Sequence, residues 1–173
     1  KILYEIIKEY KKEGILVVSL GEKDFFSSRL NHLGIKVEHL RLKNNIFFLI
    51  KLFKLIKILR GLKPGIVHTW LYKANIFGGI AAILSGHKLI YWSIHHDLEN
   101  EQKSIFRYIF MLISAFLSYL IPKKIIFCSD SSANNHKNFG FNHKKSIVIN
   151  NGIDISKFKK NNLIYQEYRT NKL

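Results

Sequence analysis

The residues best suited to chemistry stand together in the run Tyr91-Trp92-Ser93-Ile94-His95-His96-Asp97, where apolar sequence turns abruptly polar. Tyr91, Trp92 and Ile94 have the composition of a buried strand, and the pattern carries His95 to its end. A neutral imidazole both donates and accepts a hydrogen bond and changes charge near physiological pH. At the end of a strand, it could orient a substrate hydroxyl or move its proton, with His96 and Asp97 shaping the loop that presents it. His68 lies between Val67 and Thr69 in another apolar run and reads as a core histidine. His32, His39, His87, His136 and His143 are scattered among helix ends and turns, read as surface or capping residues, and have no metal-ligand spacing. Cys128, the single cysteine, lies in the apolar run IIFCS, so neither a disulfide framework nor a zinc site is written here and a reducing compartment fits best. The P-loop, HExxH, GxSxG and GxGxxG signatures are absent.

Placing such a histidine requires a sheet, and the chain is patterned for one. Strand-length apolar runs at 15–20, 36–40, 65–70, 88–94, 124–129 and 146–150 alternate with longer stretches of helical period, which predicts an α/β fold: a Rossmann-like parallel sheet with helices on both faces. Gly14, Gly34, Gly61, Gly86 and Gly140 follow helical stretches and read as C-terminal caps, while Ser129, Asp130 and Ser131 offer N-cap oxygens. Gly78 and Gly79 fall inside a predicted helix, where they would let it approach the sheet closely. An open parallel sheet binds ligands at the carboxyl ends of its strands. That rule selects Gly21 and Glu22, Arg41 and Lys43, Trp70 to Lys73 (including Tyr72), Ser93 to Asp97, Ser129 to Ser132, and Asn150 to Asp154 (including Asn151 and Gly152).

With 173 residues and 47% hydrophobic content, the chain can build one real core. Lysine and arginine outnumber aspartate and glutamate 28 to 12, a net charge of +16 that predicts attraction to something anionic. Nucleic acid is the poorest candidate, because the basic stretch from Lys123 to Lys145 carries no recognised motif beside it. The apolar run 105–121 is short for a membrane span and contains Arg107, so it reads as a buried or surface-lying helix. The segment 44–64 interleaves Lys51, Lys54, Lys57 and Arg60 with apolar residues and reads first as a core helix whose lysines snorkel to water, with a basic face lying on acidic lipid headgroups as the alternative. No secretory signal is visible, and the start at Lys1 reads as a point partway into a longer protein.

The run LKPGIVHTWLYKANIFGGIAAILSGHKLIYWSIHHDLEN, followed by IIFCSDSSANNHKNFGFNHKKSIVINNGIDISKF, resembles the amino-terminal domain of family 4 glycosyltransferases, two-domain enzymes of the GT-B type. The most specific pieces are VINNGIDISKF at 148–158, similar to the stretch that enters the interdomain linker, and the strand followed by His95.

The resemblance implies a domain over 1–149, with its first strand and glycine-rich loop missing, and a linker over 150–173 leading to a donor-binding domain. It implies that His95 reaches from the acceptor side toward the donor sugar as the catalytic group. Trp70, Tyr72, Lys73, His96, Asp97, Ser129, Asn151 and Gly152 would contact substrate. It further implies a retaining transfer from a nucleotide-sugar, bound as substrate by the carboxy-terminal domain and needing no cofactor or tightly held metal. The acceptor would be a glycan or lipid-linked molecule in surface polysaccharide synthesis, with the protein cytoplasmic and peripheral on the inner, anionic face of the cell membrane. Gly65 and Trp70 stand where relatives often carry aspartate and histidine, and His96 where they often carry aspartate. Half a cleft cannot hold two substrates in register, so this polypeptide alone is expected to transfer no sugar. The alternative is a non-catalytic membrane-recruitment or scaffold subunit that pairs with a separate donor-binding chain.

Overall fold

The computed structural model describes residues 2–10, 14–42, 48–95 and 105–152. In chain order the elements are α1 (Ile2–Tyr10), β1 (Leu16–Ser19), α2 (Phe25–His32), β2 (Lys36–His39), α3 (Phe48–Leu62), β3 (Val67–Trp70), α4 (Tyr72–Leu84), β4 (Ile90–Ile94), α5 (Ile105–Ser118), β5 (Lys124–Phe127), α6 (Asp130–Phe139), a 3-10 turn (His143–Lys145) and β6 (Ser146–Val148). All six expected strands form, each shorter than its apolar run, and every pairing is parallel. The described strands make two sheets, β1-β2 and β3-β4-β5-β6.

Alternation along the strands decides what each face meets. In β4, Ile90, Trp92 and Ile94 enter the main core, joined by Ile125 and Phe127 of β5. The helices α3, α4 and α5 close that side with Leu55, Ile56, Phe77, Ala81 and Met111. Val18, Leu20, Leu40 and Leu42 tie the β1-β2 sheet to the same core. The other side of β1-β2 is covered by α1 and α2, through a small cluster of Tyr4, Ile7 and Leu30. The opposite face of β3-β4-β5 carries His68, Trp70, Tyr91, Ser93 and Ile126 in register, and it is only partly covered.

Two glycines let α4 lie against the sheet, as their position in the sequence predicts. A methyl group added at Gly78 would sit 2.8 Å from Thr69 Cγ2, and one at Gly79 would sit 2.8 Å from Ile121 Cγ2 and 3.3 Å from Trp92 Nε1. Gly140 closes α6 at φ 113°, a left-handed value that costs a residue without Cβ little. Gly61 does not cap its helix: α3 runs on to Leu62, and Lys63 takes the left-handed turn at φ 45°. Among the described residues no helix is long and apolar enough to cross a membrane.

Candidate functional site

The carboxyl ends of β3 and β4 bring together five side chains from one sheet face. Register places Trp70 beside Ser93 and His68 beside Tyr91, and His95 follows β4 at the rim. Its imidazole lies flat on the Trp70 indole, with centroids 4.6 Å apart and planes 3° from parallel. On the other side of Trp70 along the strand, the His68 ring stands 5.1 Å away at 36°. His68, Trp70 and His95 thus form a ladder of rings running up to the rim. Stacking of this kind is worth about 0.5–1.5 kcal/mol beyond simple burial, enough to choose a ring orientation. His95 is half-buried, and both of its nitrogens are shielded from bulk solvent.

His68 is not the core histidine its sequence context predicts. Alternation turns it to the partly covered face, where Nε2 shares a 2.7 Å hydrogen bond with Ser93 Oγ. Its pKa is pushed down to about 4, first by loss of water around the ring and then by the neighbouring His95. The side chain as a whole stays exposed, and screening by solvent tempers the shift. A ring held neutral can keep its bond to Ser93 without placing a positive charge beside His95.

The backbone that presents Trp70 is strained. Leu71 adopts φ 72° and ψ 157°, a region that residues with side chains rarely occupy. Its N–H donates to Ser93 O at 3.0 Å, which locks the turn to β4. Asn75, fully buried in the first turns of α4, supplies the strap. With its amide nitrogen facing the strand, it donates to Thr69 Oγ1 at 2.7 Å, Thr69 O at 3.2 Å and Leu71 O at 3.3 Å. The Thr69 hydroxyl is then left to donate to Tyr91 O at 3.5 Å. Sequence reasoning gave Asn75 no role; its one signal was a polar residue in the apolar stretch that begins α4.

The other expected contact residues lie in varied settings. Tyr72 points into the core: it is 5% exposed, and its hydroxyl bonds His136 Nε2. His136 itself is fully buried among Tyr72, Phe127 and Phe141, which corrects its reading as a surface residue. Its Nδ1 donates to Ser132 O at 2.6 Å, so in the neutral ring Nε2 accepts from the Tyr72 hydroxyl. This pair fastens α6 to α4. Lys73 is half-buried beside Tyr72. Ser129 caps α6, its Oγ accepting from Ser132 N at 3.1 Å as the sequence predicts. Asn151 and Gly152 are exposed just past β6. His96 and Asp97 lie outside the described residues. No group of three histidine, cysteine, aspartate or glutamate side chains that could hold a metal occurs among the described residues.

Comparison with known proteins gives a consistent picture. The family model described as Glycosyltransferase Family 4 matches residues 1–157. No curated protein matches the sequence. Among solved structures, Anabaena Alr3699/HepE in complex with UDP and glucose superposes with a TM-score of 0.74 at 20% identity. The same Anabaena protein with UDP-glucose gives a TM-score of 0.72 at 20% identity. Each superposition takes in 98% of this chain but only 45% and 44% of the neighbour, so the chain spans less than half the length of the structures it matches.

Proposed function

Because the chain belongs to glycosyltransferase family 4, we propose that its described domain is the acceptor side of a transferase that moves a sugar from a nucleotide-sugar donor to a glycan or lipid-linked acceptor. The observation that carries this reading is the placement of His95 at the carboxyl end of β4, its plane set by the Trp70 stack. Ligands of open parallel sheets gather at that rim. Once its nitrogens, shielded in this structure, are uncovered by substrate binding, an imidazole there can hydrogen-bond a sugar hydroxyl. Lys73, Ser129, Asn151 and Gly152, at or near the same rim, would contact the acceptor or the donor phosphates, with His96 and Asp97 on the loop beyond His95. Tyr72 acts behind them, holding α4.

The solved neighbours carry UDP, glucose or UDP-glucose, which makes a UDP-hexose the first donor to test. In this reading the sugar nucleotide is bound as a substrate by a second, donor-side domain, and transfer retains the anomeric configuration without a resident cofactor. Holding both substrates in register is worth up to about 7–11 kcal/mol of barrier, so the acceptor side alone is inactive. Surface polysaccharide synthesis at the inner face of the cell membrane suits the charge of +16.

The test is sugar transfer from UDP-glucose and related donors, in protein that includes the donor-side domain. His95→Ala should lower kcat by about 100-fold or more, the scale of a lost positioning or proton-transfer group. Unchanged kcat would remove His95 from the site.

A further inference from the structure

α5 is built inside out. Met111, Ser114, Ala115 and Ser118 turn inward, so three of its four buried residues are small. The large apolar side chains turn out: Ile105 (66% exposed), Phe106 (70%), Ile109 (43%), Leu112 (46%), Ile113 (41%) and Phe116 (69%). At 100° per residue these six fall within about a third of the helix circumference, opposite the buried set. A contiguous exposed apolar stripe of this kind marks a binding surface rather than ordinary surface leucines and isoleucines.

Charge identifies what fits it. The sequence has no aspartate or glutamate between Glu38 and Asp97, nor between Glu101 and Asp130. The helical layer α3-α4-α5 is therefore free of acidic residues. It carries Lys51, Lys54, Lys57 and Arg60 on α3 and Arg107 on α5. At the end of α5 the Lys145 ammonium donates to Ser118 O at 3.2 Å and Tyr119 O at 2.7 Å, with Lys144 exposed beside it. The cores of protein interfaces are depleted in lysine. An apolar stripe on a helix whose one charged side chain is Arg107, in a helical layer whose charges are all cations, is instead the pattern of a helix lying in an acidic lipid interface. At 14 residues, α5 is too short to span a bilayer.

We infer that the outward stripe of α5 inserts into the headgroup boundary of an anionic membrane, with the cations of α3 and of the α5 terminus on the surrounding phosphates. This rests on the membrane location proposed above and names the element that makes it. Such docking would hold the sheet at a fixed height over the bilayer, within reach of a lipid-linked acceptor.

Flotation of the chain with phosphatidylcholine vesicles and with vesicles containing phosphatidylglycerol tests both levels. The chain should float with the acidic vesicles and weakly with neutral ones. The double variant Phe106→Ser/Phe116→Ser should lose tenfold or more in partitioning while its circular dichroism and melting stay unchanged, since neither side chain supports the core. Lys54→Gln/Lys57→Gln should weaken binding to the acidic vesicles alone. A Phe116→Trp variant should be quenched by brominated lipid, which reports insertion without relying on a disruptive substitution. If the unaltered chain ignores acidic vesicles, the membrane reading fails and this inference with it. If it floats but the double serine variant floats equally, α5 is not the element and the membrane reading stands. Loss of a sizing-column dimer in that variant, with no lipid effect, would assign the face to a second copy instead.

Discussion

The Trp70 indole covers one face of His95, which limits how that ring could meet the proposed substrate. Removing it as Trp70→Ala frees an imidazole held by about 1 kcal/mol of stacking. The expected result is roughly a fivefold fall in kcat with a smaller change in KM, and Trp70→Phe should restore most of the loss. An independent readout is the His95 Cε1 proton resonance, which the stacked indole shields and which should move downfield in Trp70→Ala but not in a distant variant. His68 predicts a pH dependence. Its pKa lies below the ordinary 6.5, at about 4, so the unfolded chain binds more protons between those values. Its contribution to stability is complete above pH 6.5 and declines as pH falls toward 4. Replacing it by glutamine should flatten the melting temperature over that window, and an undiminished slope would mean another group is responsible. The position of His95 was readable because the switch from apolar to polar sequence marks a strand end. His68 was misread because an apolar run says nothing about which sheet face remains partly open, and Asn75 because its role depends on the strained Leu71 turn, which only tertiary pairing reveals.

At the scale of elements, α4 is the part on which the candidate site depends. It packs against β3 and β4 through Gly78 and Gly79, and Asn75 straps its first turns to the strand that carries Trp70. Two substitutions separate these roles. Gly79→Ala gains helix propensity of up to about 1 kcal/mol but drives a methyl against the branched Ile121 side chain, and overpacking of that kind costs about 1–3 kcal/mol. A net destabilisation of roughly 1–2 kcal/mol by urea unfolding is expected; a more stable variant would mean the contact relaxes freely. Asn75→Leu removes the side-chain amide that donates to Thr69 Oγ1, Thr69 O and Leu71 O; Leu71 O keeps the backbone N–H of residue 75, so the cost is about 1–2 kcal/mol. It should also release the Leu71 turn and weaken substrate binding, an effect Gly79→Ala need not share. The strands were legible because short β-branched runs bounded by glycine and polar residues have one dominant reading. The exposed side of α5 was not. A helix with apolar residues on nearly every face does not declare which face is inward, and here the buried face is the one with the small residues Ser114, Ala115 and Ser118, the last of them held by Asn142 N.

For the whole molecule, the parallel order and the side on which ligands gather follow from the alternation of strands and helices, but the division into two sheets does not. Which strands pair depends on contacts between residues far apart in sequence, and hydrophobic period carries no information about partners. That division has a consequence for how the molecule opens. The sheet β3-β4-β5-β6 is sealed by α3, α4 and α5 over one large core, including the fully buried Trp92, Phe77, Met111 and Phe127. Among the described residues, the unit α1-β1-α2-β2 has Tyr4, Ile7 and Leu30 as its own buried cluster, and it shares the main core through Leu40 and Leu42. Local opening follows the amount of apolar surface that must be exposed. Amide hydrogen exchange should therefore be slowest in β4 and α4 and faster in α1 and α2, whose opening exposes far less. Leu40→Ala, which weakens the shared contact, should widen the difference, because the small unit then loses its tie while β4 and α4 keep theirs. Equal protection across both units, moving together in Leu40→Ala, would mean that the molecule opens only as a whole. The His95 rim belongs to the slow unit, so a site on β3 and β4 keeps its geometry while α1 and α2 exchange.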